Sequence, residues 1–123
     1  GFYAAVVQVE NTRAGIAPEV IRRTFDAFRS LQRVTVVDTD VDLYDAIDVD
    51  WAITTRCDPA TGLVVLPGEE GHILNPVVSI NPDGKGGTIT KIGFDALRPQ
   101  GAGFTFERVR FREVDLARYD ISG

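Results

Sequence analysis

Residues 34–59 read VTVVDTDVDLYDAIDVDWAITTRCDP, and this stretch decides the fold. Its first four residues, Val34 to Val37, form a short β-branched run bounded by an acid, the pattern of a buried strand. Asp38, Asp40 and Asp42 then alternate with Thr39, Val41 and Leu43. Asp48 suits an N-cap or a first-turn acid, favourable against a helix dipole. Val49, Ala52 and Ile53 share one face of a short helix that Cys57-Asp58-Pro59 must stop, because the residue before a proline disfavours the helical region. The segment is therefore strand, acidic loop, helix and stop. Its last ten residues, DWAITTRCDP, hold the only tryptophan and the only cysteine, so they read either as an active site or as scaffold.

Upstream, residues 2–10, FYAAVVQVE, read as a buried strand, and residues 11–15 as a turn. Pro18 falls in a first helical turn, where a missing N–H costs little. Ile21, Phe25 and Phe28 recur at helical spacing with Val20 and Leu31, opposite Arg22, Arg23, Asp26 and Arg29. That is an amphipathic helix of about four turns. Downstream, residues 63–66 make a third strand ended by Pro67-Gly68. Residues 67–87 form a long connection with a short strand expected at 77–80; connections of this length are usually functional or ordered by a partner. Residues 88–96 return to strand, 104–111 alternate as an edge strand or extended arm, and 114–119 read as a closing helical turn. Alternating strands and helices argue for right-handed crossovers. The expected fold is one α/β domain over residues 1–123, a mixed, mostly parallel sheet with flanking helices.

The 123 residues, 44% hydrophobic and 25% charged, suit a single globule with a core. A net charge of −5 with dispersed Lys and Arg argues against nucleic acid as a partner. Cys57 is alone, which excludes an intrachain disulfide and points to a reducing, cytoplasmic setting. No apolar run reaches the ~18 residues of a membrane span. The chain contains no Met and opens on GFYAAVVQV, so it is expected to be a piece of a longer polypeptide.

The chemical motifs mostly fail on inspection. A calcium loop begun at Asp38 would need Gly and Glu where Leu43 and Val49 stand. Gly84 to Thr88, GKGGT, lacks the earlier glycine of a phosphate loop, since Ser79 occupies that place. His72 beside Glu69 and Glu70 reads as a solvated loop histidine rather than an acid–base group. One His and one Cys cannot make a structural zinc site. Ser30, Ser79 and Ser122 lie on no nucleophile elbow. Cys57 follows a helix, so no dipole lowers its pKa, and it reads as a packing residue. Trp51 reads as core or interface material, and Arg56 as a favourable charge at a helix C-terminus. No catalytic residue and no metal ligand is expected on this chain.

The ordered set VTVVDTDVDLYDAIDVDWAITTRCDP, LVVLPG and KIGFDALRP resembles the carboxyl-terminal domain of the UbiD-family, 3-octaprenyl-4-hydroxybenzoate carboxy-lyase-like decarboxylases, over about residues 2–119. That family acts reversibly on aromatic and α,β-unsaturated acids with prenylated flavin mononucleotide (prenylated FMN). The resemblance implies that flavin, divalent metal, potassium and the catalytic carboxylates and arginine belong to a preceding flavin-binding domain not included in this chain. It gives this domain two roles, building a homo-oligomer and closing a wall of the substrate pocket. The wall falls on Asp95-Ala96-Leu97-Arg98-Pro99, with Asp95, Ala96 and Leu97 as its pocket residues, Leu97 standing where cinnamic-type decarboxylases carry leucine and quinone-biosynthesis members tend to carry threonine. No cofactor is expected on this domain alone, and the isolated domain is expected to be inactive.

Two alternatives stay open. A free-standing assembly module would use the apolar segment around Phe104, Phe106 and Phe111. A small-molecule binder would gather Glu10, Asn11, Asp38 and Thr39 at the carboxyl ends of parallel strands. The particular acid substrate, the direction of reaction and the oligomer size are not legible.

Overall fold

The computed structural model describes residues 3–72, 74–79 and 87–99. Expectations for residues 104–111 and 114–119, for Phe104, Phe106 and Phe111, and for most of the GKGGT loop lie outside them.

Strand β1 (Ala4–Gln8) leads into helix α1 (Ile16–Ala27), strand β2 (Arg33–Val37), helix α2 (Ala46–Arg56), a single turn α3 (Pro59–Gly62), strand β3 (Leu63–Glu70), a single turn α4 (Pro76–Ser79) and strand β4 (Thr88–Ala96). The four strands form one sheet in the order β1-β2-β4-β3. Strands β1, β2 and β4 run parallel, with Val7 opposite Val36 and Val36 opposite Asp95. Strand β3 pairs antiparallel with β4, Leu63 lying opposite Phe94. The mixed α/β fold expected from the sequence is therefore present, with its third strand reversed.

Alternation along β2 divides the core. Val34 and Val36 pack with Ala17, Ile21 and Phe25 of α1, whereas Val37 packs with Val49 and Ala52 of α2 and with Val41. The two helices thus cover opposite faces of the sheet. Close approach of α1 to β4 depends on Gly93, because a Cβ there would lie 2.4 Å from Ile21 Cγ2.

Several boundaries differ from the sequence reading. Helix α1 has 12 residues, so it ends a turn early; Phe28 leaves the helix at its C-cap and is exposed instead of continuing the apolar face. The N-cap of α2 is Asp45, whose carboxylate accepts from the N–H groups of Ile47 and Asp48, while Asp48 takes the first-turn position. Pro67-Gly68 does not end β3. It forms a bulge, with Gly68 at φ 69°, after which Glu69 and Glu70 resume pairing. Proline is tolerated there because β3 is an edge strand. The strand expected at 77–80 is helical turn α4 over its described residues, with Asn75 Oδ1 accepting from Val77 N–H and Pro76 in the first position. Among the described residues, no helix is long and apolar enough to cross a membrane.

Candidate functional site

The carboxyl end of β2 carries Asp38 straight into the interior, and an arginine meets it there. Arg56, in the last turn of α2, has a fully buried side chain. Its Nη1 and Nη2 donate to Asp40 Oδ1 and Oδ2 at 3.0 and 2.8 Å, a two-pronged pair. Nη1 also stands 3.7 Å from Asp38 Oδ2. Trp51, one turn earlier, lays its ring 4.7 Å from the guanidinium carbon. The sequence reading of Arg56 as a charge favouring the helix dipole is thus incomplete, because the side chain turns inward and neutralises the acidic loop. Buried charges persist only when paired in this way.

Asp38 also holds the chain beyond β4. Its Oδ2 accepts from Arg98 N–H at 2.7 Å, and Asn11 Nδ2, from the loop after β1, donates to Arg98 O at 2.6 Å. Asp95 Oδ1 accepts from Leu97 N–H at 3.1 Å. Asn11 and Asp38, which the sequence grouped with Glu10 and Thr39, do converge, and they do so on the Arg98 backbone. Glu10 and Thr39 remain exposed.

Asn11, Asp95, Leu97 and Arg98 border a cleft of about 480 Å³ at the carboxyl ends of the parallel strands. Its walls come from the start of α1 (Gly15 to Ala17), the end of α2 (Thr54 to Cys57) and the segment holding Asp95, Leu97 and Arg98. Of the three expected wall residues, Asp95 and Leu97 line the cleft and Ala96 does not. Ala96 is fully buried on the α2 face. Leu97 is 6% exposed and packs in the α1 cluster as well as facing the cleft.

Two titratable groups that line the cleft, Asp95 and Cys57, are shifted toward their neutral forms. Burial is the largest cause raising the Asp95 pKa above the ordinary aspartate range; the bond from Leu97 N–H opposes it, and the charge of Asp38 adds a smaller upward push. Burial, then the nearby Asp95 charge, raises the Cys57 thiol. Its Sγ sits 3.7 Å from Gly62 O, so Cys57 is a packing residue rather than a nucleophile. His72 stands apart: its ring lies 5.5 Å from that of Tyr3, and its Nδ1 accepts from Leu74 N–H. It is half-buried, not the solvated histidine expected. Among the described residues, no group of three His, Cys, Asp or Glu side chains is arranged to hold a metal ion.

A family model described as the 3-octaprenyl-4-hydroxybenzoate carboxy-lyase C-terminal domain matches residues 1–96. The chain belongs to this UbiD C-terminal domain family. The match stops one residue short of Leu97. An uncharacterized protein in the cooM 5' region of Rhodospirillum rubrum is 44% identical over 123 residues, all of this chain and 25% of that protein. Anhydromevalonate phosphate decarboxylase of Aeropyrum pernix is 38% identical over 110 residues, 89% of this chain and 24% of that protein. Among solved structures, apo 3,4-dihydroxybenzoic acid decarboxylase of Enterobacter cloacae superposes with a TM-score of 0.79 at 30% identity, over 95% of this chain and 25% of that one. A UbiD-class enzyme of Pelotomaculum thermopropionicum in complex with FMN gives 0.76 at 29% identity, over 95% and 26%. The UbiD C-terminal domain thus spans about a quarter of the length of the curated relatives it matches.

The motifs that carried the resemblance now have physical reasons. In KIGFDA, Lys91 Nζ donates to Arg29 O at 2.6 Å, Gly93 admits Ile21, Asp95 turns the chain at Leu97, and Ala96 fills the α2 core. In WAITTRCDP, Trp51 covers Arg56, Ala52 is core, Arg56 neutralises the acidic loop, and Asp58 caps α3 through Ala60 N–H. Most of what marks the UbiD C-terminal domain is architecture. The hydrogen bond from Asn11 to the Arg98 carbonyl is the feature that sequence reasoning missed, since nothing local signals a contact between positions 87 residues apart.

Proposed function

We propose that this chain is the carboxyl-terminal domain of a reversible decarboxylase of aromatic or α,β-unsaturated acids. In that role it closes one wall of the substrate pocket with Leu97 and Asp95, backed by Ala96, and supplies part of a homo-oligomer surface. The observation that carries the reading is the cleft at the carboxyl end of β4, where three hydrogen bonds present Leu97 at its edge. Relatives and neighbours named as decarboxylases, and a neighbour in complex with FMN, support it.

The full-length protein would carry prenylated FMN, with divalent metal and potassium, on its own preceding flavin-binding domain. The described residues fit a flavin at a wall only. Leu97, Ala14 and Gly15 are small or apolar surfaces suited to lie against a flat ring, while Arg56 is engaged by Asp40, Arg13 by Glu19 and Arg98 faces Asp38 at 3.8 Å. A flavin phosphate would therefore be held elsewhere. When bound, prenylated FMN supplies the electron sink for loss of CO₂. This domain contributes exclusion of water, which strengthens electrostatic interactions in the closed pocket, and apolar contact to a flat substrate. Closure of the domain against its neighbour would be a gating motion.

Tyr44 at 98% exposure and Ile47 at 81% place apolar surface at the start of α2, suited to cover by the flavin domain or a second copy. The test is CO₂ release from a panel of aromatic and α,β-unsaturated acids. The full-length protein is produced with a prenylated-flavin source, beside the 123-residue chain under identical conditions. Release by the full-length protein and none by the chain is expected. Release by the chain alone, or a parent gene without a flavin domain, overturns the reading.

A further inference from the structure

We propose that Asn11 and Asp38 are positioning residues for the substrate wall, fixing how far Leu97 reaches into the cleft and so which acids are accepted. This rests on the reading of Leu97 as a pocket wall. Sheet pairing ends at Ala96, opposite Val37, so the ladder does not set the place of Leu97. Three hydrogen bonds set it instead. Asp95 acts within its own turn, whereas Asp38 and Asn11 reach in from the carboxyl ends of β2 and β1, 60 and 87 residues away in sequence. They grip Arg98 from both sides, Asp38 accepting from its N–H and Asn11 donating to its carbonyl.

The Asp38 carboxylate is itself oriented, with Arg56 Nη1 at 3.7 Å. The bond it accepts is therefore charge-assisted and the stronger of the two. Asn11 belongs to neither hydrophobic cluster and borders the cleft beside Leu97 and Arg98. Losing its side chain opens no core cavity and removes the anchor on the Arg98 carbonyl. Small misplacements near reacting groups have large kinetic consequences.

The experiment uses the flavin-loaded full-length protein as wild type, Asn11→Ala, Leu97→Ala and the double variant. Asp38→Asn is added because it keeps an acceptor for Arg98 N–H while removing the charge. One readout is hydrogen–deuterium exchange of the peptide spanning residues 95–99. The other is the ratio of kcat/KM for 3,4-dihydroxybenzoate over cinnamate. In Asn11→Ala, amides 97–98 are expected to exchange about fivefold faster, the weight of one net hydrogen bond, with residues 16–27 unchanged. The kcat/KM ratio is expected to shift by about the same factor, and Asn11→Ala is expected to add no further shift in the Leu97→Ala background. Unchanged exchange at 97–98, or a shift that adds fully to that of Leu97→Ala, overturns the clamp alone. Turnover of neither acid, or a ratio indifferent to Leu97→Ala, overturns the wall reading and this proposal with it.

Discussion

Asp95 sits where strand β4 gives way to the cleft, and its carboxyl does two things at once. It accepts the Leu97 N–H, and it resists ionisation because it is half-buried with Asp38 nearby. A carboxyl held above its unfolded-state pKa binds its proton more tightly when folded. The stability it contributes is complete below the unfolded value and is lost as pH rises through the folded value. Near neutrality the native chain therefore carries a cost that an uncharged isostere avoids. Asp95→Asn keeps an oxygen acceptor for Leu97 and is expected to melt at a higher temperature than wild type at pH 7. The gap should narrow as pH is lowered toward the ordinary aspartate range. Thermal unfolding across that range checks it, and a gap of constant size would contradict the assignment. Arg56 teaches the complementary lesson. Its position in the last helical turn was legible, but its direction was not, because a dipole argument treats the side chain as solvated. Removing it would take away the two-pronged partner of Asp40 and leave the buried Asp38 facing Arg98 alone among the arginines, a loss of up to about 3–5 kcal/mol.

Among the elements, the reversed strand β3 has its cause in helix α2. Both ends of that helix are tied to the acidic loop after β2: Asp48 Oδ2 accepts from Asp42 N–H at 2.6 Å, and Arg56 grips Asp40. The helix therefore returns the chain to the end of the sheet from which it left. Strand β3, entered through one turn of α3, must then run antiparallel beside β4. Hydrophobic pattern reports that a strand exists and not which way it points, so the mixed, mostly parallel sheet was legible but not which strand in it is reversed. The VVLPG pattern likewise located β3 but could not tell a proline-glycine bulge from a strand end. Helix α1 was legible because Ile21 and Phe25 repeat at helical spacing, whereas its close approach to β4 at Gly93 was not. Gly93→Ala would drive a methyl into Ile21 Cγ2 and Cδ1. An overpacked contact of this kind costs about 1–3 kcal/mol, to be read as a lower urea midpoint with unchanged slope. An unchanged midpoint would mean that α1 shifts freely over the sheet.

For the whole molecule, the sequence carried the family further than the site. The family is spread over the packing rules of an entire domain, each residue of which has a local reason. The cleft is assembled from three loops distant in sequence, and its deciding contacts run from side chains to backbone, where residue identity leaves little trace. Chemistry-bearing side chains that sequence reading examined, Cys57 and His72, have packing partners, while the apolar Leu97 lines the cleft on a segment held by Asn11, Asp38 and Asp95. That division supports the proposal that the domain shapes chemistry carried out by a neighbouring flavin domain. The most direct test is Leu97→Ala in the flavin-loaded full-length protein, read as the ratio of kcat/KM for a bulky over a small aromatic acid, beside the flavin absorbance spectrum. Removing an apolar wall contact is expected to move that ratio by about tenfold with the spectrum unchanged. An unchanged ratio, or an equal loss of turnover for every acid together with loss of the flavin, would contradict the account.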